Sequence, residues 1–280
     1  MTPDPVIAVH TLTRCFDEVI AVDHLSLNVA AGEVFGLLGH NGAGKTTTVR
    51  LLNGVLEPSS GSAQVLGLDP INEGAQLRRY TGVLTDNPGL DQRLTGRENL
   101  YIFAELYGVP LAEVTSRIGR LLDVFELVER ADNKVSDYSR GMKQRLALTR
   151  ALLHQPEVLF LDEPTAGLDP IAARRVHTMI THLSREERRT LLLCTHNLVE
   201  AQRLCDRVAV LDHGRLVALG TPAQLARELG RSLRLKLEVA PDDLPAANSI
   251  LDAAEGGVTA LSQENGIVTI TTSDRDMIPG

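Results

Sequence analysis

Val34 to Thr47 reads VFGLLGHNGAGKTT, a short apolar run entering a loop with glycines at 39, 42 and 44. The run suits a buried strand, and TTTVRLLNGVL places Val49, Leu51, Leu52 and Val55 where a buried helix wants them. Strand, glycine loop and helix in that order form the context that G-x-x-x-x-G-K-[ST] requires, and Gly39 to Thr46 completes the pattern. The loop and helix start, Asn41, Gly42, Ala43, Gly44, Lys45, Thr46 and Thr47, are expected to surround a phosphate, because unpaired backbone N–H groups and the helix dipole favour an anion there. Lys45 is expected to reach the β- and γ-phosphates, and the Thr46 hydroxyl to hold Mg²⁺.

Outward from this stretch, VIAVHTL and HLSLNVA carry the alternating pattern of strands, with AAGE as the turn before the next strand. From about residue 87 to 155 the pattern is helical. Thr95 and Glu98 match a capping box, and the following helix should end at Gly108. A second helix over about 112–126 sets Val114, Ile118, Leu121, Leu122 and Phe125 on one face. EVLFLDEP and TLLLCTH are continuous apolar runs, as expected of parallel strands covered on both faces, with a helix over 171–185 between them. RVAVLDHGRLVALG reads as a hairpin turning at Asp212-His213-Gly214. Residues 226–280 form a small α+β appendix, with strands LRLKLEV, VTALSQ and IVTITTS and a helix over 243–254.

Composition removes other classes. The chain has 280 residues, 43% apolar, and 36 Asp+Glu against 28 Lys+Arg, a net charge of −8. That is globular, and the acidic balance with no Trp argues against a surface built to grip nucleic acid. Three cysteines without a C-x-x-C pair suit a reducing compartment, with Cys194 as a buried hydrophobe. No run approaches the ~18 apolar residues of a spanning helix, and the start MTPDPVIAVH does not read as a signal peptide.

Val158 to Pro164, VLFLDEP, ends an apolar strand in two carboxylates. Asp162 is expected beyond the sheet's carboxyl edge as a Mg²⁺ ligand, with Glu163 polarising the attacking water. Together with the phosphate loop, this specifies phosphoryl transfer or nucleotide hydrolysis, a class that also holds kinases and GTPases.

Tyr138 to Pro170, YSRGMKQRLALTRALLHQPEVLFLDEPTAGLDP, resembles the ATP-binding cassette (ABC) ATPases, and the resemblance extends over residues 5 to about 225. It implies an α/β phosphate-loop NTPase of RecA-like type, with an antiparallel β subdomain and the 87–155 helical subdomain inserted, over residues 1–225. It also implies that Ser139 and Gly141, in the signature motif, face the γ-phosphate held by a second cassette. Asp169 ends the D-loop, His196 matches the switch histidine at the γ-phosphate, and Phe16 lies where the family stacks a ring on adenine. The pattern departs at Tyr138, Arg140 and Met142, where the family usually has leucine, glycine and glutamine. Asp86 stands at the glutamine of the Q-loop and is expected to contribute to the Mg²⁺ site.

The resemblance further implies a composite site in which two copies, or one copy and a related cassette, sandwich two Mg-ATP molecules. LTGRENL, YSRGMKQRL and the appendix look like the bacterial drug- and antibiotic-export branch. The expected partner is a separate membrane permease docking over 86–100, with the chain peripheral at the cytoplasmic face of the membrane and no nucleic acid bound. SDRDMIPG stops where that branch usually adds a helix, so the appendix is expected to be incomplete or short. The alternative is a soluble ABC ATPase acting on ribosomes or nucleic acid, but the long coiled-coil insertion or second cassette of such proteins is missing from the sequence.

Overall fold

A computed structural model describes residues 5–85, 89–229, 233–238, 258–264 and 267–272. Strands β1 (Ile7–Phe16) and β2 (Val19–Val29) form an antiparallel hairpin whose inward positions, among them Ile7, Val9, Leu25 and Leu27, are buried. Strand β3 (Val34–Leu38) leads through the glycine loop into helix α1 (Lys45–Leu52). The helix stops there because Gly54 takes a left-handed turn (φ +65°) against Pro70, a conformation that glycine adopts without steric cost. Val55, expected on the buried face, therefore lies past the helix end and is 62% exposed.

Strand β4 (Ser60–Val65) pairs antiparallel with β1, giving the order β2-β1-β4. Helix α2 (Gly74–Leu77) and strand β5 (Thr81–Leu84) follow. Helix α3 (Gly96–Leu106) begins at the expected capping box: Thr95 Oγ1 accepts from the Glu98 amide at 3.1 Å, and a Glu98 carboxylate oxygen accepts from the Thr95 amide at 2.7 Å. Thr95→Ala removes one of these two bonds, and a denaturant titration should show the folded state weakened by about 1 kcal/mol. Helix α4 (Leu111–Val124) buries Val114, Ile118 and Leu122, with Phe125 just past its end. Helix α5 (Arg140–Leu152) starts at Ser139, which accepts from the Met142 amide as N-cap.

Strand β6 (Val158–Asp162), helix α6 (Pro170–Arg185), strand β7 (Thr190–Thr195), helix α7 (Leu198–Leu204) and the hairpin β8 (Arg207–Asp212)–β9 (Arg215–Gly220) complete the first unit. They join a six-stranded sheet of order β5-β6-β7-β3-β8-β9 in which only the edge strand β9 is antiparallel. Strands β6 and β7 are buried at every position, consistent with their unbroken apolar runs. Phe35, Leu37, Leu52, Phe160 and Leu192 share one core with Leu25 and Leu27 of the antiparallel sheet. The parallel order has one functional consequence. The carboxyl ends of β3, β6, β7 and β8 all emerge at a single sheet edge, where open α/β sheets bind ligands.

A second unit, Pro222–Gly280, contains helix α8 (Pro222–Leu229) and an antiparallel sheet β10 (Leu233–Glu238), β12 (Ile267–Thr272), β11 (Val258–Glu264), in that spatial order. The helix expected over 243–254, the turn at Asn265-Gly266 and the chain end lie outside the described residues. Among the described residues, no helix is long and apolar enough to cross a membrane.

Candidate functional site

A cleft at the carboxyl edge of the sheet is lined by Phe16, Asn41, Gly42, Gly44, Lys45, Thr46, Thr47, Asp162, Glu163 and His196, with His40, Ala21 and Ala166 beside them. The loop that starts it depends on Gly44. At φ +99° the backbone is left-handed, and a Cβ would lie 2.4 Å from the Ala21 carbonyl oxygen. Ala43 contributes through its backbone, since its side chain is fully buried in the core.

Lys45 is 6% exposed, and its ammonium donates to the carbonyls of Gly39 (2.6 Å) and His40 (3.1 Å) and lies 3.6 Å from a Glu163 carboxylate oxygen. A buried cation is thus compensated by three acceptors, which an incoming phosphate can replace without leaving the charge unpaired. Thr46 Oγ1 donates to Asp162 Oδ2 at 2.6 Å, a bond spanning the first turn of α1 and the end of β6. A hydroxyl and a carboxylate oxygen in contact are the donor chemistry of a hard divalent cation.

Glu163 follows the strand end at φ +49°, left-handed for a residue with a Cβ, a conformation that costs about 1–3 kcal/mol and concentrates at functional sites. Its amide donates to the Cys194 carbonyl at 2.9 Å, which ties it to β7. His196, one residue past β7, brings Nδ1 to 2.9 and 3.0 Å of the two Glu163 oxygens. The carboxylate can only accept, so the shared proton belongs to Nδ1. Nε2 is then the nitrogen left to face a phosphate, and it can donate to one only when it carries a proton as well. Cys194, between these elements, is fully buried. Burial pushes its thiol up, and nearby Asp162 adds to the shift, so it stays a protonated hydrophobe.

Phe16 ends β1 at the mouth of the cleft, 40% exposed, with the Arg14 guanidinium 4.6 Å from its ring centre. An aromatic face left half open in a chain with few aromatics is suited to a planar ligand.

Ser139, Gly141 and Asp169 do not line this cleft. Ser139 is exposed at the start of α5, and the Asp169 carboxylate caps α6 by accepting from the Ile171 and Ala172 amides at 2.9 Å. Two departures from the family pattern have packing partners. Tyr138 is buried over Gly96, where it fills space a Cβ would need, and donates from its hydroxyl to the Arg130 carbonyl at 2.7 Å. Arg140 lies across Gly167 of the D-loop, so signature motif and D-loop touch within one chain. Gln144 adds a bond from its amide nitrogen to the Pro164 carbonyl at 3.2 Å. Asp86, expected at the metal, lies outside the described residues.

Sequence reasoning missed a buried connection behind the cleft. Glu200, 3% exposed in α7, accepts from the Thr165 hydroxyl at 2.8 Å and pairs with His177 of α6 at 3.0 Å. It joins Thr165, just before the D-loop, to the helix that follows His196. Its three members are far apart in sequence and match no motif.

A family model described as ABC transporter matches residues 22–166. Nod factor export ATP-binding protein I of Ralstonia nicotianae is 40% identical over 248 residues, 88% of this chain and 76% of that one. The daunorubicin/doxorubicin resistance ATP-binding protein of Streptomyces peucetius is 41% identical over 262 residues, 92% of this chain and 78% of that one. A solved ATP-binding subunit of an ABC transporter is 32% identical and superposes with a TM-score of 0.74 over 80% of this chain and 93% of its own. The cbiO1 protein of Clostridium perfringens, described as part of the cbiONQ ABC transporter complex, is 27% identical with a TM-score of 0.71, covering 89% and 99% of the two chains.

Proposed function

The chain belongs to the ABC transporter family as an ATP-binding, ATP-hydrolysing subunit of the export branch, and from that premise we propose how its residues do the work. The observation that carries the reading is the meeting of Lys45, Thr46–Asp162, Glu163–His196 and Phe16 in one cleft from which Ser139 and Gly141 are absent. The cleft is half a site, and a second cassette supplies the other half through its signature motif.

In this reading Phe16 stacks on adenine, and the loop amides with Lys45 hold the β- and γ-phosphates. Thr46 and Asp162 would hold Mg²⁺, which when bound would neutralise charge developing on the transferred phosphoryl group. Glu163 accepts a proton from the attacking water. His196 keeps that carboxylate aimed through Nδ1, and with Nε2 protonated as well it joins Lys45 in stabilising charge at the γ-phosphate. Pairing and separation of the two cassettes are the output, delivered to a separate membrane permease at the cytoplasmic face. Relatives named for Nod factor export and for daunorubicin/doxorubicin resistance support an export role, and in this reading the cargo is a drug, antibiotic, lipid or other hydrophobic compound.

Two outcomes are expected here. Phe16→Ala should weaken ATP binding by about 1–3 kcal/mol, the cost of losing one stacked base, and should weaken binding of inorganic triphosphate far less. Light scattering on Glu163→Gln should show one chain per particle without nucleotide and two chains with two nucleotides in Mg-ATP. One chain per particle at saturating ATP would count against self-pairing and favour a related cassette as the second half.

A further inference from the structure

His40, Asp212 and His213 form a cluster whose ligand-type atoms all lie within 4.8 Å of one another. We propose that this cluster is a binding site for a first-row transition ion of the Zn²⁺ class, which fastens the phosphate loop to the β8–β9 turn.

The geometry comes from two parts of the chain. His40 is the first residue after Gly39 in the phosphate loop. Asp212 ends β8, and His213 and Gly214 make a two-residue turn with φ +46° and +80°. Both values are positive, as a type I′ hairpin turn requires, and the turn fixes where the His213 ring starts. Phosphate loop and hairpin already touch, since the Gly214 amide donates to the Ala43 carbonyl at 3.2 Å.

One oxygen, Asp212 Oδ1, lies 3.0 Å from His40 Nε2 and 2.8 Å from His213 Nδ1, and the two rings are 5.0 Å apart. His40 Nδ1 lies 2.7 Å from the Asn41 carbonyl, which can only accept, so that nitrogen carries the proton. That leaves Nε2 as the nitrogen facing the Asp212 oxygen, and when it carries no proton its lone pair and the carboxylate point into one space. A metal cation can take the place of a proton between them. Bonds of about 2.0–2.2 Å in tetrahedral array separate ligand atoms by roughly 3.3 Å, so the two gaps to Asp212 Oδ1 need open only a few tenths of an ångström, while the two histidine nitrogens lie within 4.8 Å of each other and a turn of the exposed His213 ring sets their spacing. The Asn41 carbonyl orients the His40 ring as a backbone acceptor does behind a metal-bound imidazole. Two imidazoles and one carboxylate suit zinc, nickel or copper better than Mg²⁺ or Ca²⁺, which prefer oxygen. The side chains of His40, Asp212 and His213 are 50%, 56% and 82% exposed, so an ion reaches them from solvent.

The test is calorimetric titration of the metal-stripped full chain with Zn²⁺, without nucleotide or Mg²⁺. One ion per chain is expected. His213→Asn keeps a residue that tolerates the left-handed turn, and Asp212→Asn keeps the shape of the side chain. Each should weaken binding more than tenfold, while His182→Asn, at a separate exposed histidine, leaves it within twofold. Zinc should also slow hydrogen exchange at the Gly214 amide in the unaltered chain and not in His213→Asn. Absence of saturable binding, binding unchanged in both site variants, or an equal loss in His182→Asn would overturn the site. Unchanged exchange at Gly214 in the zinc-loaded chain would overturn the fastening.

Discussion

Glu163→Gln should reduce ATP turnover by about 10²–10⁴-fold while leaving ATP affinity within a few-fold of the unaltered chain. The amide keeps the size and position of the carboxylate, and its carbonyl can still accept from His196, now 2.9 and 3.0 Å from the Glu163 oxygens. What it loses is the capacity to take a proton from water. The comparison is phosphate release under saturating Mg-ATP against nucleotide affinity at equilibrium. Equal turnover in the two proteins would remove Glu163 from the role of base. A parallel fall in affinity would instead mean that the side chain positions the phosphate loop through Lys45, 3.6 Å away.

Lys45→Ala should weaken ATP binding by about 1.5–3 kcal/mol, or roughly 10- to 150-fold, because it deletes charged hydrogen bonds to phosphate. Turnover should fall further, since charge on the transferred group also loses its partner. The nucleotide-free state is disturbed less. The Gly39 and His40 carbonyls lose a donor, but they lie on a loop that opens to solvent at His40 and Asn41. Thermal unfolding without nucleotide should therefore move little, while the stabilisation that ATP adds is largely lost. A large drop in nucleotide-free stability with normal ATP affinity would make Lys45 a structural residue.

The cleft was largely readable in the sequence because short-range patterns produce it. Gly39 to Thr47 builds its own loop, and the apolar run Val158–Leu161 can only be a buried strand, which carries Asp162 and Glu163 to the edge. The Thr95–Glu98 capping box is equally local. Strand β4 escaped because Ser60–Val65 buries only Val65, so no apolar alternation announces it. Backbone pairing with β1, from Ile7–Val65 to Thr13–Ser60, holds it in place. Val55 was misplaced because apolar spacing continued past the point where Gly54 turns the chain. The Thr165–Glu200–His177 network and the His40–Asp212 contact bring together residues 23 to 172 positions apart. Such contacts follow from strand order, which a local pattern does not encode.

The most direct test of the whole account is capture of tagged Glu163→Gln from detergent-solubilised native membranes in Mg-ATP, with mass spectrometry of the partners. The account predicts a multi-spanning membrane protein, retained with Mg-ATP and with the paired cassette present. Recovery with ribosomes or DNA from the soluble fraction, and no membrane protein, would contradict it.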